Sequence, residues 1–201
     1  MSKKPFNKQF KRPFGKPAKK PDKTKVRGYI YRNLAMREWA RKMLYQKAVA
    51  KFDDPKMVND ILDEFEEQDI LSDKRFAEAY IRSARDYRGY GPTKTKMRLL
   101  EKGVNSSLFS EYLAESHDIW TLRCHVERKK KYGAMPETME EKSKQYKFLQ
   151  QRGFRDSQIK LSFKEQLPFD PESVELPEFE NQDEVSIEEM VSVLNKASNL
   201  K

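Results

Sequence analysis

Thiol and imidazole groups are scarce in this 201-residue sequence: His117, Cys124 and His125 are all there is. A structural zinc site needs four such ligands at paired spacings, and neither a Cys-x-x-Cys pair nor a His-Glu-x-x-His segment is present. Cys124 and His125 adjoin, as a nucleophile and its base would. Neighbours on a helix point about 100° apart, however, and no third group stands ready to orient them. No Gly-x-x-x-x-Gly-Lys-Ser/Thr loop is available to cradle a phosphate. The expectation is a protein that is not an enzyme and that uses no metal or other cofactor.

Cations at helical spacing are plentiful instead, with tyrosines between them. Arg75, Arg82 and Arg85 fall on one side of a predicted helix, and Arg88 continues past its end. Lys94, Arg98 and Lys102 follow at i, i+4 and i+8. Arg128, Lys129, Lys130 and Lys131 close a later helix, and Arg152 and Arg155 flank a glycine corner. Tyr87, Tyr90 and Tyr132 lie among them. Ammonium and guanidinium groups neutralise phosphate and aromatic faces stack bases, so the pattern suits a nucleic acid. A solvated face partly balanced by Glu78, Asp86 and Glu101 is the plainer reading. Repetition of the pattern in consecutive segments favours a continuous basic surface.

Such a surface needs rigid elements beneath it. From about Tyr29 to Phe163 the apolar residues recur at helical period. Val58, Ile61, Leu62 and Phe65 form one stripe; Phe76, Tyr80, Ile81 and Ala84 form a second; Leu108, Phe109, Tyr112 and Leu113 form a third. Ser72 or Asp73 can cap a helix near Arg75, and Asn105 or Ser106 one near Leu108. Nothing alternates at period two over the length of a strand. The fold class is therefore all-α.

The helices also repeat. Gly91 to Val104 aligns with Met36 to Val49, and a third copy ends at Gln151-Arg152-Gly153-Phe154. Each copy closes on a basic, a small and an apolar residue. A cation there faces the negative end of the helix dipole, glycine takes the left-handed cap, and the apolar residue folds back on the last turn. Ala48, which this alignment sets under Gly103, lacks glycine's freedom, so the first stop must be built differently. Three tandem three-helix units follow, over about 29–72, 73–116 and 117–164, within a domain spanning 26–164.

Charge separates the ends from this body. Residues 1–25 carry ten cations against Asp22 alone, interrupted by Pro5, Pro13, Pro17 and Pro21, which predicts a disordered basic arm. Phe6, Phe10 and Phe14 within it could stack on bases. Residues 165–201 hold ten acids against Lys196 and Lys201 and read as an extended acidic tail. Within the tail, Ser186-Ile187-Glu188-Glu189 is a capping box opening an amphipathic helix over 186–196, a candidate docking element. The single cysteine, and the lack of an apolar signal core or membrane-length run, point to a cytoplasmic protein.

At this point a family resemblance emerges. Leu71-Ser72-Asp73-Lys74-Arg75-Phe76-Ala77, Arg88-Gly89-Tyr90-Gly91-Pro92, Lys102-Gly103-Val104 and Phe148-Leu149-Gln150-Gln151-Arg152-Gly153-Phe154 resemble, in order and spacing, the signature stations of the RecX family. Lys131-Tyr132-Gly133 and Trp120 are similar to its proteobacterial branch. Arg37-Glu38-Trp39-Ala40 departs from the Arg-Glu/Asp-His-Ser segment common in the family, and the arm and tail lie outside its core. The resemblance implies an elongated, curved array of three-helix repeats that lodges in the groove of the RecA–single-stranded DNA filament. It also implies a negative modulator of RecA, lowering ATPase, strand-exchange and co-protease activity in recombination, DNA repair and the SOS response. The contacts expected are Arg82, Arg85, Arg88, Lys94, Arg98, Lys102, Lys129, Lys130, Arg152 and Arg155. Partners would be the RecA nucleoprotein filament and single-stranded DNA, with duplex DNA weaker, and the protein a monomer. A general nucleic-acid binder acting without RecA, and an adaptor working through the tail helix, are the alternatives.

Overall fold

The computed structural model describes residues 22–114, 118–164 and 166–174, and among these every regular element is helical. The first unit is α1 (Lys23–Leu34), α2 (Arg41–Phe52) and α3 (Pro55–Glu67). Asp22 starts α1 by accepting the Thr24 N–H at 3.0 Å. The helix thus begins inside the stretch read as arm. Asp54 likewise accepts the Met57 N–H at 3.0 Å, and Pro55 fills the first position of α3.

The second unit opens with α4 (Asp73–Arg82), capped by Ser72 as the sequence suggests, and continues through a π turn, Ser83–Tyr87. α5 (Pro92–Glu101) begins with Pro92 at its first position. The helix expected near Leu108 is instead two 3-10 turns, Ser106–Leu108 and Glu111–Leu113. Asn105 does cap the first, but Phe109 leaves helical geometry (φ −144°) while its ring is fully buried. Tertiary burial overrides the helical period there. The third unit is α6 (Asp118–Tyr132), α7 (Met139–Gln151) with a Thr138–Glu141 capping box, and α8 (Asp156–Ser162).

Helix ends set the repeat. Gly103 (φ 88°) and Gly153 (φ 87°) are both left-handed caps. Behind them Val104 N–H donates to Leu99 O, and Phe154 N–H to Leu149 O, each at 3.2 Å. The first unit stops at Asp53 (φ 52°), with a single bond from its N–H to Val49 O at 2.9 Å. Ala48 is buried inside α2, so the first copy's register is corrected: its stop falls at Asp53.

One apolar cluster fills the first unit around Leu44, Ile61, Leu62 and Phe65. A second holds the middle unit together with Ile119, Trp120, Leu122 and Val126 of α6, and a third lies around Cys124, Leu149, Phe154 and Ile159. The middle cluster also takes in Leu167, Phe169 and Val174. The opening of the acidic tail is therefore part of the fold, returning past the third unit to the second. The arm to residue 21 and the helix expected at 186–196 lie outside the described residues.

Candidate nucleic-acid interface

The middle unit gathers cations around two tyrosines. α4 supplies Tyr80, the π turn delivers Arg88 and Tyr90 beyond it, and α5 supplies Lys94, Arg98 and Lys102. The Arg88 guanidinium lies 5.1 Å and the Lys102 ammonium 5.5 Å from the centre of the Tyr80 ring. Lys94 Nζ sits 4.4 Å from the centre of the Tyr90 ring. Arg88 and Arg98 are exposed, and Arg98 pairs with Glu101 one turn on at 2.8 Å. Burial raises the Tyr80 hydroxyl above its ordinary pKa, with Arg88 and Arg98 opposing the rise. The phenol stays neutral beneath a shell of positive charge. Tyr87, at the end of the π turn, is 71% exposed.

Other expected contacts have structural work. Arg85 is only 1% exposed and forms a bidentate pair with Asp86, at 2.7 and 2.9 Å. A phosphate cannot reach it, and it is withdrawn from the surface set. Arg82 is half-buried on α4. Lys94 lies against the backbone of Gly153, where a Cβ would collide with it, and donates to Gln151 O at 3.3 Å. Lys42 does the same one unit earlier, over Gly103, with its ammonium 3.3 Å from Glu101 O. A lysine from the first turn of each second helix thus clasps the end of the equivalent helix in the next unit. The cation meets the negative end of that helix.

Arg152 donates to Arg88 O at 2.9 Å and to Gly89 O at 3.2 Å, and meets Glu127 at 3.3 Å. Glu127 also faces Arg123 at 3.7 Å, and its carboxylate rests on Gly89, leaving no room for a Cβ there. Arg123 reaches Asp86 O at 3.0 Å. These charges join α6 to the π turn that carries Arg88. Arg155 donates to Leu113 O at 3.3 Å from the start of α8. Of the last pair, Lys130 is exposed; Lys129 is half-buried, its pKa lowered by burial and then by Arg128.

α6 was the element least visible in the sequence. Ile119 to Arg128 are all buried, including Arg123, His125, Glu127 and Arg128. Polar residues on every face concealed a central helix. Glu127 and Arg123 were missed for that reason, Asp86 was read only as a balancing acid, and Lys42 was not singled out; the recurring glycine stops were the one signal that pointed toward the lysine clasps. On the same helix, burial pushes the Cys124 thiol up to about 12 and the His125 imidazole down to about 4. A protonated thiol beside a neutral, enclosed imidazole is not an activated nucleophile.

A chain of helical units clasped end to end, with a basic, tyrosine-bearing face on the middle one, defines a helical-repeat protein. The chain belongs to the RecX family. A family model described as RecX, second three-helix domain, matches residues 72–113, the unit bearing the patch. Regulatory protein RecX of Halorhodospira halophila is 35% identical over 138 residues, 68% of this chain and 85% of that one. That of Pseudomonas fluorescens is 31% identical over 122 residues, covering 60% and 78%. The crystal structure of RecX from Lactobacillus salivarius shares the fold, with a TM-score of 0.60 at 17% identity over 70% of this chain and 93% of that one.

Proposed function

We propose that this protein is a negative modulator of RecA. In this reading it seats in the groove of the RecA–single-stranded DNA filament in the cytoplasm and limits the filament's growth or persistence. ATPase, strand-exchange and co-protease activities would fall as a consequence, in recombination, DNA repair and the SOS response. The observation that carries the reading is the Arg88–Arg98–Lys102 cluster around Tyr80, lying within the segment that matches the family model. Arg88 and Lys102 meet at one ring from two different elements, so the cluster is a preformed, rigid array of charge. Such an array meets phosphate or acidic protein surface at little cost in side-chain entropy. Its action is occupancy, blocking the next protomer.

The test is a titration of RecA's DNA-dependent ATPase. Inhibition at substoichiometric ratios that persists in excess DNA is expected, and R88E/K102E should abolish it. Inhibition that disappears as DNA is added would instead make this a general nucleic-acid binder competing for the strand.

A further inference from the structure

Gly28 stands in the middle of α1, where glycine is the least favourable residue after proline. Nothing in the fold calls for it. A Cβ built there would meet no atom within 4 Å, and the residue has no left-handed backbone to excuse it. Its missing side chain instead opens a notch where two neighbouring clefts adjoin.

The clefts differ in character. One, of about 410 Å³, is lined by Lys25, Tyr29, Arg32, Lys51 and Phe52, with no carboxylate among its walls. Lys51 holds its ammonium 4.2 Å from the Tyr29 ring centre. The other, of about 340 Å³, is walled by Arg27, Tyr31, Phe65 and Ile70. Its cation, Arg27, shares the single carboxylate of Glu64 with Lys23. Tyr31 is 57% exposed beside it. Helical spacing explains the arrangement: Lys25, Gly28, Tyr29 and Arg32 form one stripe, Thr24, Arg27, Gly28 and Tyr31 the adjoining one, and Gly28 belongs to both.

We propose that this notch is a single-stranded nucleic-acid site, separate from the patch on the middle unit. The phosphates lie along Lys25, Arg32 and Lys51, and a base crosses Gly28 to stack against Tyr31. Charge chooses the occupant. The cleft that would take the backbone carries three cations and no acid, the cleft that would take the base is aromatic with its one cation paired to Glu64, and a strand carries phosphate and base side by side. Duplex DNA, whose bases are stacked inward, cannot use the second cleft.

The test is anisotropy of a fluorescein-labelled oligothymidylate and of a duplex of equal length, titrated with the full chain. Gly28→Gln should raise the melting temperature, since glutamine is much the better helix former. The same change should weaken oligothymidylate binding roughly tenfold, the scale of one base stack, with duplex binding little altered. The triple variant K25A/R32A/K51A should reduce the slope of log affinity against log salt by about 2, at about 0.7 for each single-strand phosphate left without its cation. Unchanged oligothymidylate affinity in Gly28→Gln, or an unchanged salt slope in the triple variant, overturns the proposal. So does loss of RecA ATPase inhibition with bare-strand affinity intact, which would make the notch a protein-docking surface. A RecA-inactive protein whose Gly28→Gln variant still loses the strand would sink the RecA reading and leave the notch standing.

Discussion

At the scale of single residues, burial decides what each ionisable group does. His125 is enclosed on α6, and desolvation, then Arg128 and Lys129, pull its pKa down to about 4 from an ordinary 6.5. The unfolded chain therefore takes up a proton between those values that the folded chain refuses. Stability contributed by the neutral imidazole is intact above pH 6.5 and is lost as pH falls toward 4. At 1.36 kcal/mol per pK unit, the loss amounts to about 3 kcal/mol. Denaturant unfolding of the wild type and of His125→Leu at about pH 7 and about pH 4.5 measures it. The wild type should lose more stability than the variant on acidification. Equal losses would mean that solvent reaches the ring.

At the scale of elements, the junction between α6 and the π turn decides where Arg88 stands. Glu127, its side chain 8% exposed, is the acid shared by Arg123 and Arg152 and the group that fits over Gly89. Removing one partner of a buried pair leaves the other charge uncompensated, at a cost of about 3–5 kcal/mol. Glu127→Ala should lower the denaturant midpoint accordingly and speed amide exchange in residues 83–91. Glu127→Asp, which keeps the charge and shortens the reach, should fall between. A midpoint unmoved by Glu127→Ala would mean that the glycine corner holds the junction alone.

The same elements show how far the sequence could be read. Strong apolar stripes and Gly or Pro punctuation were sufficient for α3, α4 and α5, because propensity, capping and burial agree there. They failed where tertiary packing overrode local preference. Phe109 trades helical geometry for burial, and α6 hides its charges by pairing them with one another, with Arg152 and with backbone carbonyls. The first repeat's register slipped because Asp53, not a glycine, takes the left-handed cap. Basic residues were legible as a set but not by role. Spacing cannot tell Arg88, which stands in solvent, from Arg85, whose partner is its own neighbour Asp86.

On the scale of the whole molecule, the middle unit holds its neighbours and depends on them. Lys42 ties the first unit to it and Lys94 ties it to the third, while Leu167, Phe169 and Val174 return to its core from beyond α8. That return is short: one 3-10 turn, Pro171–Ser173, capped by Asp170, whose carboxylate accepts the Glu172 N–H at 3.0 Å. Its contribution is mainly apolar. Full burial of a side chain of this size stabilises by roughly 1.5–3 kcal/mol. Leu167 and Phe169 are only half covered and Val174 is buried, so the strap as a whole contributes about 3 kcal/mol. In a chain of this length that corresponds to about 6–12 °C in Tm. Truncation after residue 174 should therefore leave Tm close to that of the full chain, and truncation after residue 164 should lower it by that amount. Phe169→Ala in the full chain should fall between. If the chain ending at 164 melts with the chain ending at 174, the strap rests on the surface without holding it. If it melts lower, the acidic segment that follows is anchored on the unit that bears the basic patch.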